Sequence, residues 1–436
     1  MLRFQEQAGC LRSQEDPMPT AAALTIDTPP ERIVAFRAPP PRANRAHIIK
    51  DDAEALVTAR RLAARIAETA IERDRERRLP YEELDWLSDA GLLAITVPKA
   101  YGGADVSSGT LAEVIALLSE ADGSIGQIPQ NHFFILHALG LEGSEEQKRF
   151  FYGRILSGER IGNALSEIGT KTAQDHNTRL SKDGPVLRLN GRKFYCTGAL
   201  FAHWVAVVAN DDEGRSTISF VPRETPGLAV IDDWSGFGQR VTGSGTTTLD
   251  NVEVHPFSVI SLRAVFDRPT SMGPVAQIMH AAVEAGIARA ALAETIRFVK
   301  NHARPWKDSG LDHGYEDPYT IAQIGEVKIR VSASDALLER AGRFADISVA
   351  DPTVETVAAA SVAVAEAKVA STEASLLAGS KLIELAGSRA TQAQYGLDRF
   401  WRNARTHTVH DPARWKYRAI GDYWLNGINP PRHGAI

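Results

Sequence analysis

The stretch VLRLNGRKFYCTGALFAHWVAVV, residues 186–208, decides the fold. Its apolar, β-branched and aromatic residues come in short runs too tightly spaced for a helix period, and Asn190-Gly191 falls between two of them. Both residues of an Asn-Gly pair tolerate positive φ, so the sequence predicts a hairpin turn there. Further β-rich runs at Trp204 to Val208, Ser216 to Val221 and Thr246 to Val254 are separated by Gly and Pro turns. Residues 161–268 therefore read as a small central antiparallel β domain. Strands do not alternate with helices, which disfavours a doubly wound nucleotide fold.

Working outward, the flanks are helical. Asp51 is placed to cap a helix through Leu56 and Ile66 to Ala70, and Pro80 opens the next, with Gly91 just past its end. Leu111 to Ala121 gives a third helix, and Ser144 with Gln147 has capping-box spacing ahead of Phe150, Phe151 and Ile155. Residues 46–160 are thus predicted to form an N-terminal helical domain. Helical periodicity returns after about Pro274: Asp317-Pro318 starts one helix, and Val354 to Ala386 forms a long Ala-rich one stopped by Gly387. Residues 269–436 read as a C-terminal helical bundle. The predicted class is α+β, mainly α. Residues 1–45, broken by Pro29-Pro30 and Pro39-Pro40-Pro41, read as a disordered extension, within which Met18 is a candidate start.

The balance of 49 basic and 54 acidic residues has no block of one sign, so nothing electrostatic points to nucleic acid or an anionic membrane. No apolar segment reaches membrane-spanning length. The two cysteines, Cys10 and Cys196, are far apart and suggest a reducing, cytoplasmic setting. Gly236-Phe237-Gly238 with Gly243 and Gly245 lacks the strand-to-helix context of a dinucleotide fingerprint, and Walker A, HExxH, nucleophile-elbow and CxxC patterns are missing.

An ordered set of segments carries a resemblance. Arg192 to Ala199 with Ala202 to Val208, Phe220-Val221-Pro222, Pro226-Gly227-Leu228, Gly238-Gln239-Arg240 and Leu249 to Val254 follow one another as in the β domain of the acyl-CoA dehydrogenases. Gly286 to Ala291, Leu385-Ala386-Gly387 and Arg402-Asn403-Ala404-Arg405 resemble that family's C-terminal helices, so the resemblance runs from about residue 48 to the end. Val97 to Gly103, Pro129 to Phe133, Ala164 to Glu167 and Arg402 to Pro412 (RNARTHTVHDP) most resemble sulfur-acquisition oxidoreductases of the SfnB type, relatives of dibenzothiophene monooxygenase. Those proteins use reduced FMN from a separate NAD(P)H:flavin reductase, with O2 and a small organosulfur substrate. The resemblance also implies a homotetramer with flavin at the junction of strands and last bundle.

Site residues follow from that resemblance. Ser166 stands where the family places a hydroxyl near the flavin, or else forms a strand-end turn. Asn131 matches a pocket amide of the oxygenases, or else caps a helix. Tyr195 and Thr197 belong to the flavin-contacting segment. Trp204 is either a flavin neighbour or ordinary core. Arg304 resembles the arginine that reaches a neighbouring subunit's flavin phosphates, with a solvated helix end as the alternative.

His407 and His410 are three apart, so on a helix they share a face. A side chain with an ordinary pKa of about 6.5 suits proton exchange in an oxygenase, and His410 assisted by His407 is the predicted proton-transfer pair. A dehydrogenase would need a carboxylate base instead. Asp411 is the candidate by register, but it precedes Pro412 and reads better as an N-cap for a helix through Trp415 and Tyr417. A metal held by this HxxHD cluster lacks another clear ligand motif and is not expected. Gly169-Thr170-Lys171-Thr172 replaces the usual Gly-Ser-Asp of the dehydrogenases, which weakens thioester chemistry and leaves FMN against FAD open. The reading is a reduced-flavin monooxygenase. An acyl-CoA dehydrogenase with bound FAD and a non-catalytic helical interaction protein are the alternatives.

Overall fold

A computed structural model describes residues 36–436, except 37, 44 and 173. The first helical block comprises α1 (Asp52–Ala67), α2 (Ala70–Glu76), α3 (Tyr81–Asp89), α4 (Ser108–Ala121), α5 (Gly123–Gln127), α6 (Pro129–Glu142) and α7 (Glu145–Leu156). Local chemistry sets its ends. Asp51 accepts the Glu54 N–H at the start of α1, and Ser144 with Gln147 forms the full capping box of α7. Pro80 stands one position earlier than expected, as the residue before α3. Gly91 follows at φ 77°, and a Cβ there would lie 2.0 Å from the His47 carbonyl oxygen.

The strands are β1 (Ile161–Ala164), β2 (Arg179–Asp183), β3 (Val186–Lys193), β4 (Trp204–Asn210), β5 (Ser216–Pro222), β6 (Leu228–Ile231), β7 (Thr246–Val254) and β8 (Val259–Ser261). They form one eight-stranded sheet in the order β6-β7-β3-β2-β4-β5-β8, with β1 added beside β4. Pairing is antiparallel except for β1 against β4 and a single bridge from β2 to β4. The expected hairpin at Asn190-Gly191 is not there. β3 runs through both residues with a bulge against β7, and the turn into β3 falls at Gly184-Pro185. Tertiary packing overrides the local signal: a Cβ on Gly191 would come within 2.3 Å of Thr178 Oγ1, and Asn190 Oδ1 accepts the Asn251 N–H at 2.8 Å.

Burial on both faces explains the unbroken apolar run of β4. Trp204, Ala206 and Val208 join the core of the first helical block, whereas Val205, Val207 and Ala209 join a second core inside the sheet. The chain then continues through α8 (Leu262–Asp267) and α9 (Met272–His302) to α10 (Pro318–Ala350), α11 (Val354–Ala386), α12 (Asp398–Thr408) and α13 (Ala413–Asn426). Asp317 caps α10 and Gly387 ends α11, as their sequences predict. Most of the proposed N-terminal extension, Met18 and Cys10 included, lies outside the described residues. Its last part is seated: Phe36 packs edge-on against Phe150 at 5.2 Å, and Arg42 pairs with Asp89 at 2.6 Å. Among the described residues no helix is long and apolar enough to cross a membrane.

Candidate active site

Helix α9 is apolar over most of its first half, yet it carries Gln277, His280 and Glu284, all at most 2% exposed. Their spacing of three and four places them on one face. Helix α11 brings Lys368, Ser371 and Thr372 to the same level, α5 ends on Gln127, and α12 ends with His407 one residue before its last. His407 Nδ1 lies 2.8 Å from Glu284 Oε1, and its Nε2 lies 3.2 Å from His280 Nδ1 and 3.0 Å from Gln127 Oε1. Glu284 also pairs with Lys368 and accepts from the Thr372 hydroxyl at 2.6 Å. An anionic Glu284 takes the Nδ1–H of His407, and the Gln127 amide oxygen and His280 Nδ1 both meet Nε2 of the same ring.

His410 is the mouth of the cluster. Helix α12 stops at Thr408, so His410 leaves the helix and does not share its face as the spacing predicted. The two rings still converge, 6.4 Å apart, because His280 lies 5.2 Å from His407 and 4.3 Å from His410. The His410 side chain is 47% exposed, whereas that of His407 is 1% exposed.

Asp411 does not cap α13, contrary to the sequence reading. Pro412 occupies the cap position without a side-chain bond, and the Asp411 carboxylate turns inward to accept from Gln277 Nε2 at 2.9 Å and to meet His410 Nδ1 at 3.2 Å. Gln277 in turn accepts from Lys416 Nζ at 2.9 Å. An inward carboxylate with partners outcompetes an exposed cap.

Burial sets the charge states. It drives the His280 imidazole well below its ordinary value, reinforced by His410 and His407, and it lowers His407 despite the opposing pull of Glu284. Burial alone would raise Glu284 and Asp411. Lys368 and His407 reverse this for Glu284, and His410 with His280 holds Asp411 far below the carboxylate range. Burial brings Lys416 down to about 8 against the pull of Asp411.

The strand block meets this cluster through its loops. Gln239 donates its backbone N–H to Asn403 Oδ1 at 2.7 Å and its side-chain amide to the Gly123 carbonyl at 3.0 Å. Gly238 has no Cβ to spare, since one would lie 2.0 Å from the Arg402 carbonyl oxygen. The near-fingerprint glycines thus serve loop-to-helix contact. On the other side, Ile128 packs under Gly198, and His132 accepts the Ile161 N–H at 3.1 Å, docking α6 on β1.

Asn131 stands one turn beyond Gln127, whose amide touches His407, and Ile128 between them keeps helical geometry. Asn131 is 9% exposed, and neither its amide nor the half-buried Ser166 hydroxyl makes a hydrogen bond among the described residues. Tyr195 is half exposed at φ 63°, with its ring 4.8 Å from Phe194. Thr197 is tied into a buried hydroxyl chain with Ser244 and Thr242, each link 2.7 Å. The Asn131 amide and the Ser166 hydroxyl are groups that the edge of a flavin ring, which offers both donors and acceptors, would satisfy.

Trp204 does not belong to this set. It is fully buried, its indole N–H donates to Glu159 at 2.6 Å, and its ring packs on Phe151, so the core reading prevails. Arg304 is exposed beyond the end of α9. With 1.5 Å of rise per residue, it stands roughly 33 Å along the helix from His280, beyond reach of the cluster in its own chain. Sequence reasoning missed Gln277, His280, Glu284 and Lys368; their signal was a polar stripe in otherwise apolar helices.

Comparison with known proteins adds independent findings. Residues 50–159 match the acyl-CoA dehydrogenase N-terminal domain and residues 278–415 the acyl-CoA dehydrogenase C-terminal domain. Dibenzothiophene monooxygenase of Rhodococcus erythropolis is 34% identical over 398 residues, 87% of this chain and 95% of that protein. A probable FMNH2-dependent monooxygenase, SfnC, of Pseudomonas putida is 31% identical over 86% of this chain and 96% of its own. The crystal structure of FMN-bound TdsC from Paenibacillus sp. A11-2 superposes with a TM-score of 0.83 at 31% identity, covering 88% of this chain and all of that one.

Proposed function

This chain belongs to the acyl-CoA dehydrogenase family, and we propose that within it the protein is a two-component monooxygenase that uses reduced FMN and O2 to oxygenate a small organosulfur compound. The observation that carries the reading is chemical: the place where a dehydrogenase would present an available carboxylate is filled by three imidazoles. Asp411 is tied down by Gln277 at 2.9 Å and His410 at 3.2 Å, so its carboxylate is not presented free to take an α-proton from a thioester. The relatives named as a dibenzothiophene monooxygenase and as FMNH2-dependent, together with the FMN-bound structural neighbour, support the same reading.

Reduced FMN supplies, when bound, the two electrons that let one oxygen atom leave as water while the other reaches sulfur. Ser166, Tyr195 and Asn131 hold and orient the ring. His410 moves a proton at its imidazole, and His280, which lies between it and His407, relays one. Electrons come from a separate NAD(P)H:flavin reductase, consistent with a sequence that lacks a nicotinamide fingerprint. The working form is a cytoplasmic homotetramer in which Arg304 serves the flavin of a partner subunit.

The test supplies photoreduced FMN and O2 with a panel of sulfones, sulfonates and thiophenes. Substrate-dependent oxygenated product is expected. Bleaching of bound oxidised flavin by an acyl-CoA, with no oxygenated product, would replace this reading with the dehydrogenase.

A further inference from the structure

The sequence offered His407, His410 and Asp411 as a metal-like cluster without a further ligand. The fold rearranges that set. His407 is committed to Glu284 and Gln127, and α9 supplies His280 in its place. One ligand atom each from His280, His410 and Asp411 lies within 4.8 Å of the others.

We propose that His280, His410 and Asp411 form an inhibitory site for a borderline divalent ion of the Zn2+ type. Two imidazoles and one carboxylate are a ligand set that Zn2+ takes with a fourth position open. Second contacts of the kind that orient metal ligands are present. His407 Nε2 holds the His280 ring by its Nδ1 at 3.2 Å, and Gln277 anchors the Asp411 carboxylate at 2.9 Å. The exposed side of His410 is the way in. The groups facing the site are His407, Glu284 and Lys368 from within the bundle, with Lys416 behind Gln277 and His433 from the C-terminal segment. Lys416 is the one cation close to Asp411 among them, and it limits affinity without blocking a lone pair. Coordination would occupy the lone pairs that the proposed oxygenation uses, so inhibition rests on that reading, whereas ion binding does not.

The experiment titrates ZnCl2 into the flavin-free full-length protein by calorimetry, and into the variants His410→Ala and Asp411→Asn. One equivalent per chain in the micromolar range is expected, weakened about tenfold or more in each variant. Because His410 is half exposed, its alanine variant tests the site without a folding question. Absence of binding, or equal binding in wild type and both variants, overturns the site. In the oxygenation assay, zinc should abolish turnover in wild type and EDTA should restore it. Zinc that binds at the triad and leaves turnover unchanged overturns the inhibitory role. The calorimetry contains no flavin, so its failure is distinct from failure of the monooxygenase reading.

Discussion

Two of the buried polar clusters in this protein are built on opposite principles. In the first helical block, Arg73 is fully buried with every guanidinium nitrogen engaged: Nε with Asp122 at 2.8 Å, Nη1 with Glu83 at 2.7 Å and Thr69 at 2.9 Å, and Nη2 with the Ile66 carbonyl at 2.9 Å. Asp122 spends its other oxygen on the first N–H groups of α5. Fixed charges meet there, with part-exposed Arg78 pairing with Glu83 at 3.0 Å on the rim. Between α9, α11 and α12 the fixed pair Glu284–Lys368 instead backs a row of imidazoles that opens at His410. A closed ion cluster holds helices in register. A row of lone pairs ending in solvent can move protons.

The largest effect expected from breaking this contrast is in the closed cluster. Arg73→Met takes the guanidinium from buried Asp122 and leaves Glu83 to Arg78 alone, and should cost about 3–5 kcal/mol in urea unfolding. A cost below about 1 kcal/mol would show that the cluster is not a keystone. In the open cluster, His280→Gln and His410→Ala should each lower the oxygenation rate roughly a hundredfold, with a smaller effect on stability for His410, read as product per reduced flavin. Full rates in both would remove imidazole proton transfer from the proposal.

Acid should separate the clusters next. His132 and His137 are lowered to about 4 by burial, and His280 is lowered further in the same direction. Their folded values lie below that of the unfolded chain, so the unfolded state binds more protons below about pH 6.5, and stability falls as pH drops toward 4. Each such histidine contributes up to about 1.4 kcal/mol per pH unit in that window. Glu284 and Asp411 are lowered as well, and because their unfolded values are those of ordinary carboxylates they add losses only below that range. Thermal midpoints measured from pH 7.5 to 5 should decline, and His137→Gln should flatten the slope. A pH-independent midpoint would contradict buried neutral histidines. The smallest change, Asp51→Ala at the exposed start of α1, should cost about 1 kcal/mol and gives the baseline for both clusters.

Helix ends were legible because caps are local: Asp51, the Ser144–Gln147 box, Asp317-Pro318 and Gly387 each act within a turn of the residues they serve. Most strands were legible for a similar reason, since β7 spans Thr246–Val254 as the composition of that run indicates. The Asn190-Gly191 hairpin failed because a strand across the sheet, not the dipeptide, determines what those residues do. Asp411 failed likewise: a preceding-proline signal was outweighed by Gln277, 134 residues away.

The sequence by itself therefore determined the order of helices and strands, the family, and the two histidines that lie three residues apart. Only the tertiary structure decided which groups those histidines face, sealed Trp204 into the core, and turned Asp411 inward. The physical reason is range. Periodicity and capping act over one turn of chain, whereas His280, Glu284 and Gln127 reach His407, and Lys368 reaches Glu284, only because four helices pack, and no local pattern encodes that meeting.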